Sequence, residues 1–200
     1  MRLKLITLLL LQGCAMDLPL IEDSGVDGGT DAGMILEDAG TPDAGPPTLT
    51  STVLTDGGVF PTRYTCGDTT TTGRVSPPFT WTPITNAQSY AMVMTDTSIN
   101  LVHWIIWDIS PTTLGLPEGV PNVALPPMPA GAKQTTSYDS TTYGYRGPCP
   151  PAPHVYRFDL LGLDVASLPG VTTSSSRAQV QAALTPHVLE TASLSSSWGP

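Results

Sequence analysis

Two histidines, an aspartate and a tyrosine are the side chains whose neighbours best equip them for chemistry. His154 and Tyr156 stand two apart, directly after the run Gly147-Pro148-Cys149-Pro150-Pro151-Ala152-Pro153. Proline locks φ and removes a backbone donor, so four of them in this run make a stiff turn. The residues that follow, 155–165, alternate in the manner of a strand, and strand residues two apart share a face. His154 and Tyr156 therefore point to one side at the end of a rigid loop, an arrangement suited to a pocket. Asp96 closes the run Met94-Thr95-Asp96, and His103 precedes Trp104-Ile105-Ile106-Trp107. Imidazole protonates near neutral pH, and a phenol donates through its hydroxyl. With Asp96 orienting an imidazole and the other groups donating, such a set suits a phosphate or carboxylate group, held more firmly as histidine protonates.

The elements that must position these side chains read as mostly β. Short apolar or β-branched runs recur at 49–54, 79–82, 90–94, 104–109 and 156–165, separated by Pro, Gly, Thr and Asn clusters. No βαβ alternation appears. One helix is signalled late in the chain, where Ser176 can cap with Gln179 three residues on and Val180, Ala183 and Leu184 form a stripe. Thr185-Pro186 then predicts a second short helix through about Ala192. About 150 residues bury roughly 68–70% of their unfolded surface, enough for a core that does not depend on cross-links.

Three fragments are informative together: Ser76-Pro77-Pro78-Phe79-Thr80-Trp81, Asp96 with His103-Trp104, and Pro150-Pro151 with His154 and Tyr156. In this order they resemble the phosphatidylethanolamine-binding protein family, in particular its bacterial Raf-kinase-inhibitor-like branch, over residues 54–198. The resemblance implies a mainly β fold, an antiparallel β-sandwich with a large central sheet, a smaller sheet and short C-terminal helices. It also implies a non-catalytic pocket lined by Asp96, His103, Pro150, Pro151, His154 and Tyr156, which takes small anions such as phosphate or a phospholipid headgroup. No cofactor is expected. The chain departs from the family pattern in three places. Asp96-Thr97-Ser98 stands where the family has Asp-Pro-Asp, Val155 replaces the arginine of His-Arg-Tyr, and only Ala152-Pro153 separates the paired prolines from His154.

Other readings of the same residues stand beside this one. Asp96 is also a turn-capping residue type, and His103 between aromatics is also a packing residue type. Two histidines and one aspartate are the ligand set of a facial metal triad. A hydrolase would need a serine such as Ser76 near His103 and Asp96, yet Ser76 lies in Ser-Pro-Pro and not in a Gly-x-Ser-x-Gly elbow. Fold does not fix function, so the alternative is a protein-interaction module that inhibits a protease or modulates a signalling or host partner. His187, Tyr143 and Tyr145 read as packing or surface residues.

The remaining sequence sets compartment and boundaries. Residues 1–13 read as a lipoprotein signal peptide. Arg2 and Lys4 precede a short apolar stretch, and Leu11-Gln12-Gly13-Cys14 forms a lipobox with lipidation expected at Cys14. An ordinary signal peptide is the alternative. Ala15 after the cysteine points to a lipid-anchored location in the bacterial cell envelope, at the outer membrane. Residues 14–47 are rich in Asp, Gly, Ala and Pro, with Asp-Ala-Gly at Asp31, Asp38 and Asp43. They read as a disordered acidic tether, their spacing being too irregular for a calcium repeat. The tether carries eight of the seventeen acidic residues, so the domain at 48–200 holds nine acids against six bases. Such a balance excludes a nucleic-acid surface, which wants a basic face. With Cys14 as the anchor, Cys66 and Cys149 remain in an oxidising compartment, and the resemblance brings their loops to one end of the fold. A disulfide is expected there, with two separate thiols as the alternative.

Overall fold

The computed structural model describes residues 45–200. The signal segment 1–13, Cys14 and most of the tether 14–47 lie outside the described residues. Among the described residues nine strands form two sheets. β1 (Leu49–Thr50), β3 (Phe79–Trp81) and β6 (Gly115–Leu116) make a small antiparallel sheet in the order β1-β3-β6. The larger sheet runs β2-β9-β8-β4-β5-β7. It comprises β2 (Gly58–Val59), β4 (Ser89–Asp96), β5 (Leu101–Ile109), β7 (Lys133–Gln134), β8 (His154–Leu163) and β9 (Val188–Trp198). Among the described residues there is one α-helix, α1 (Arg177–Leu184), which runs directly into a 3-10 turn, Thr185–His187, and another 3-10 turn lies at Thr62–Tyr64.

The long strands form where β-branched and aromatic residues are dense, because these pack well on a pleated surface. β4 is buried along its whole length and sits between β8 and β5. One face of the large sheet supplies Met92, Met94, Trp104, Ile106, Phe158, Leu160, Ala192 and Leu194. These pack with Leu49, Phe79, Trp81 and Leu116 of the small sheet in a shared core. Each such large side chain contributes roughly 1.5–3 kcal/mol when fully buried. The opposite face carries Ala91, Val93, Ile105, Trp107 and Leu163, covered by Val180 and Leu184 of α1 and by Leu168. Both halves of the capping box at α1 form: Ser176 Oγ accepts from Gln179 N at 3.2 Å, and Ser176 N donates to Gln179 Oε1 at 2.8 Å.

Two expectations are corrected. The large sheet is mixed and not antiparallel throughout, because β2 runs parallel to β9 with Gly58 beside Ser196. Parallel neighbours need a long crossover, and nearly the whole domain lies between these two strands. The second helix expected from Thr185 to Ala192 is also absent. Pro186 starts only the 3-10 turn, and Val188–Trp198 is an eleven-residue strand. Ala192, Leu194 and Ser196 are buried in alternation along it, a period of two that small residues carry weakly in the sequence.

Candidate functional site

The proline turn is held from several directions. Cys66 and Cys149 form a disulfide with Cα atoms 5.3 Å apart, tying the turn to the loop after Tyr64. Cys66 N donates to the carbonyl of Pro148 at 3.0 Å, and Gly147 N to that of Gly73 at 2.8 Å. Gly147 lies so close to the Tyr64 carbonyl that a Cβ would overlap it. The Tyr145 hydroxyl donates to that same carbonyl at 2.8 Å, and its buried ring stacks edge-on against Trp104. Beyond this anchored turn the chain enters β8 at His154.

β8 pairs with β4 so that Tyr156 stands opposite Asp96. The Asp96 carboxylate is divided between two tasks. Its Oδ1 accepts from Ser98 N at 3.0 Å, which closes the turn after β4. Its Oδ2 accepts from His154 Nδ1 at 2.7 Å, with the Asp96 side chain only 2% exposed. Turn capping and site-building, alternatives for Asp96 in the sequence, are therefore both present.

His103 reaches the same place through a β-bulge. Met94 pairs with Trp104 but Thr95 pairs with Val102, which leaves His103 as the extra residue of β5. Val102 packs on the α1 side and Trp104 on the inter-sheet side, although in a regular strand residues two apart share a face. The bulge turns the imidazole inward, as bulges near functional sites do. The ring is 3% exposed and lies between two tyrosines, with centroids 4.0 Å from Tyr138 and 5.2 Å from Tyr156. Its Nδ1 lies 3.2 Å from the Arg146 carbonyl, which can only accept, so Nδ1 carries the proton. Burial lowers the His103 pKa below 6.5, the Arg146 carbonyl opposing the shift only in part. Burial, followed by the charge of Asp96, raises that of Tyr156 well above the usual phenol value.

All six residues expected to bind ligand line one pocket of about 130 Å³. Asp96, His103, Pro150, Pro151, His154 and Tyr156 share its wall with Ile99, Leu101, Tyr138 and Cys149. Tyr138 carried no signal in the sequence. It is delivered by a loop clamped from outside: the Arg177 guanidinium donates to the carbonyls of Thr136, Ser137 and Tyr138, and Arg146 pairs with Asp139 at 2.9 Å. One count of donors is revised. Both imidazoles spend their Nδ1 protons on protein acceptors, so neither neutral ring has a second N–H to offer a ligand.

The rival chemistries fare differently. Ser76 is fully buried and its hydroxyl accepts from Val120 N at 3.0 Å, away from the pocket lining. Among the described residues no group of three or more His, Cys, Asp or Glu side chains is arranged to hold a metal ion. His187 Nδ1 pairs with Asp164 at 2.8 Å at the surface. A larger cleft of about 370 Å³ lies between α1 and the outer face of β4, β8 and β9, where Arg157 and Asp159 pair with each other.

A family model described as phosphatidylethanolamine-binding protein matches residues 50–198. The chain belongs to the phosphatidylethanolamine-binding protein family. Family relatives include a UPF0098 protein of Methanothermobacter thermautotrophicus, 36% identical over 151 residues that cover 73% of this chain and 94% of that protein. LppC of Mycobacterium tuberculosis, named as a lipoprotein, is 34% identical over 145 residues, 69% of this chain and 66% of its own length. Among solved structures of the family, Escherichia coli YbcL superposes with a TM-score of 0.68 at 27% identity, covering 77% of this chain and 98% of YbcL. The homologue CT736 of Chlamydia trachomatis gives 0.63 at 27% identity, covering 78% and 98%.

Proposed function

We propose that this member of the phosphatidylethanolamine-binding protein family is a lipid-anchored envelope protein with a non-catalytic pocket for a small oxyanion, such as phosphate or a phospholipid headgroup. The observation that carries the reading is the convergence of Asp96, His103, His154 and Tyr156 on one pocket beside the proline turn. At about 130 Å³ the pocket falls below the roughly 300–1,000 Å³ of sites that enclose whole drug-sized ligands. It suits a single compact group, with any remainder of the molecule outside. Catalysis is disfavoured by the same residues. Hydroxyl and thiol nucleophiles need an adjacent base, and although the Asp96–His154 pair could serve as one, the pocket lining holds no serine or threonine, its Cys149 is tied in the disulfide, and Tyr156 holds its proton strongly. The anchor rests on the lipobox at Leu11-Gln12-Gly13-Cys14, with Ala15 favouring the outer membrane, and is supported by a relative named as a lipoprotein.

Calorimetric or NMR titration with inorganic phosphate tests the pocket. Binding should be weak, without turnover of phosphoesters, and His154→Ala should reduce affinity by about 1.5–3 kcal/mol, the value of a charge-assisted hydrogen bond. Binding untouched by both His103→Ala and His154→Ala would reject the site. Detergent partition of wild-type protein and of Cys14→Ser tests the anchor. Wild-type protein found in the aqueous phase would reject it.

A further inference from the structure

The geometry points to a pocket that takes its anion as an acid, selecting a singly charged, proton-bearing phosphate monoester over the proton-free anions of the same shape. This rests on the anion-binding reading and narrows it.

The argument is a count of donors and acceptors. The Asp96 carboxylate accepts from Ser98 N and His154 Nδ1, and its side chain is 2% exposed. His154 gives its Nδ1 proton to Asp96, so its neutral ring presents a lone pair at Nε2. His103 gives its Nδ1 proton to the Arg146 carbonyl and likewise presents Nε2 as an acceptor. The Tyr156 hydroxyl is directed at Asp96, which leaves that of Tyr138 as the one uncommitted donor in the lining, so a dianion entering here would meet two lone pairs and a buried carboxylate against a single phenol.

Protonating His154 supplies one donor and one charge. His103 resists protonation because it is buried. The groups facing it are Asp96 of β4, His154 and Tyr156 of β8, Tyr138 and Asp139 of the clamped loop, and Arg146 and Arg177 behind that loop. Of these, Arg177 and the burial of the ring oppose a charge on it, and the carboxylates favour one. Burial dominates, so His103 stays neutral near pH 7 and keeps its lone pair. A P–OH group of the ligand satisfies that lone pair, and a ligand with none leaves it facing a negative oxygen. A buried acceptor without a partner costs the full desolvation of the group, which is how such sites reject analogues that lack a hydroxyl.

Three ligands separate the possibilities: phosphoethanolamine, a monoester whose second pKa lies near 6; glycerophosphoethanolamine, a diester without a titrating proton in this range; and sulfate. At pH 5.5 the monoester should bind at least tenfold more tightly than either of the others. Loss of its proton should then reduce its affinity by about 25-fold by pH 7.5, following the fraction that remains monoanionic. Equal binding of all three overturns the inference and leaves the anion-binding reading standing. A preference for the diester overturns it too, and identifies a lipid headgroup as the ligand source. Absence of binding by all three rejects the anion-binding reading itself. Asp96→Asn, checked for folding by circular dichroism, should narrow the monoester-to-sulfate ratio at least tenfold, because an amide can donate where the carboxylate only accepts. An unchanged ratio in the folded variant refutes the proposed selection.

Discussion

Removal of the Cys66–Cys149 bridge, by the double substitution Cys66→Ser/Cys149→Ser, should lower stability by an amount that its position in the chain sets. The two cysteines are 83 residues apart in sequence. Closing a loop of that length removes entropy from the unfolded chain equivalent to about 4.5 kcal/mol at 25 °C. With a urea m-value of about 2 kcal/mol/M for a domain of this size, the midpoint should fall by about 2 M. Cys149 is exposed, so reduction of the wild-type protein in denaturant should move its midpoint by a similar amount. The loss should appear with the pocket still formed, because Gly147, Pro148 and Tyr145 keep their backbone and hydroxyl bonds to the Tyr64 and Gly73 segments. Equilibrium unfolding followed by tryptophan fluorescence measures it. A midpoint shift below about 0.5 M, or two thiols that alkylate freely in the unreduced protein, would refute the reasoning.

Three further perturbations have definite expected outcomes. Asp108 sits at a bulge in β5 with φ of 56°, and its nearly buried carboxylate accepts from Lys133 Nζ, Ser167 Oγ and Leu168 N at 2.7–2.8 Å. Asp108→Ala should cost about 3 kcal/mol in urea unfolding, mostly through the orphaned Leu168 N–H and Lys133. Gly162→Ala places a Cβ 2.6 Å from Ile84 Cγ2 and should cost roughly 1–3 kcal/mol, recovered in part by adding Ile84→Ala. Failure of that second substitution to recover stability would disprove the overlap. His103 has a folded pKa below its unfolded value of 6.5, so the unfolded state binds more protons just below 6.5. Its contribution to stability is fully present above pH 6.5 and is lost as pH falls from there towards the folded value. Urea midpoints measured from pH 7.5 to 5 should show this decline, and His103→Gln should remove that part of it.

The central strands were legible because β4, β5 and β8 are dense in Val, Ile, Met and aromatic residues, and the pocket residues because three motifs occur in family order. β9 was not legible. Its sequence Val188-Leu189-Glu190-Thr191-Ala192-Ser193 follows a Thr-Pro helix signal, and of its inward side chains Ala192, Leu194 and Ser196 only Leu194 is large and apolar, too little to mark a period. Of the four two-residue strands, β1 falls in a run read as β, while β2, β6 and β7 are too short for any periodicity to detect. The orientation of His103 depends on how Thr95 pairs with Val102, a property of two strands together that neither shows alone. Tyr138 reaches the pocket only because Arg177, 39 residues away, holds three successive carbonyls of its loop. From the sequence both imidazoles are expected to donate to a ligand, because the Arg146 carbonyl that takes the His103 Nδ1 proton is a backbone atom that no residue type announces.

The position of β9 sets the timing of folding. Residues 188–198 lie between β2 and β8, so they pair at once with the second strand of the domain and with the strand that begins at His154. Neither partner can be completed until the last of these residues has emerged from the ribosome and, for an exported chain, from the translocation channel. Until then β8 presents an unpaired edge to whatever surrounds it. The pairing of Gly58 with Ser196 closes one of the longest loops in the domain, the kind of contact that slows folding. A chain exported as proposed would cross the membrane unfolded and assemble afterwards, with the His154 end of the pocket among the last parts to be fixed.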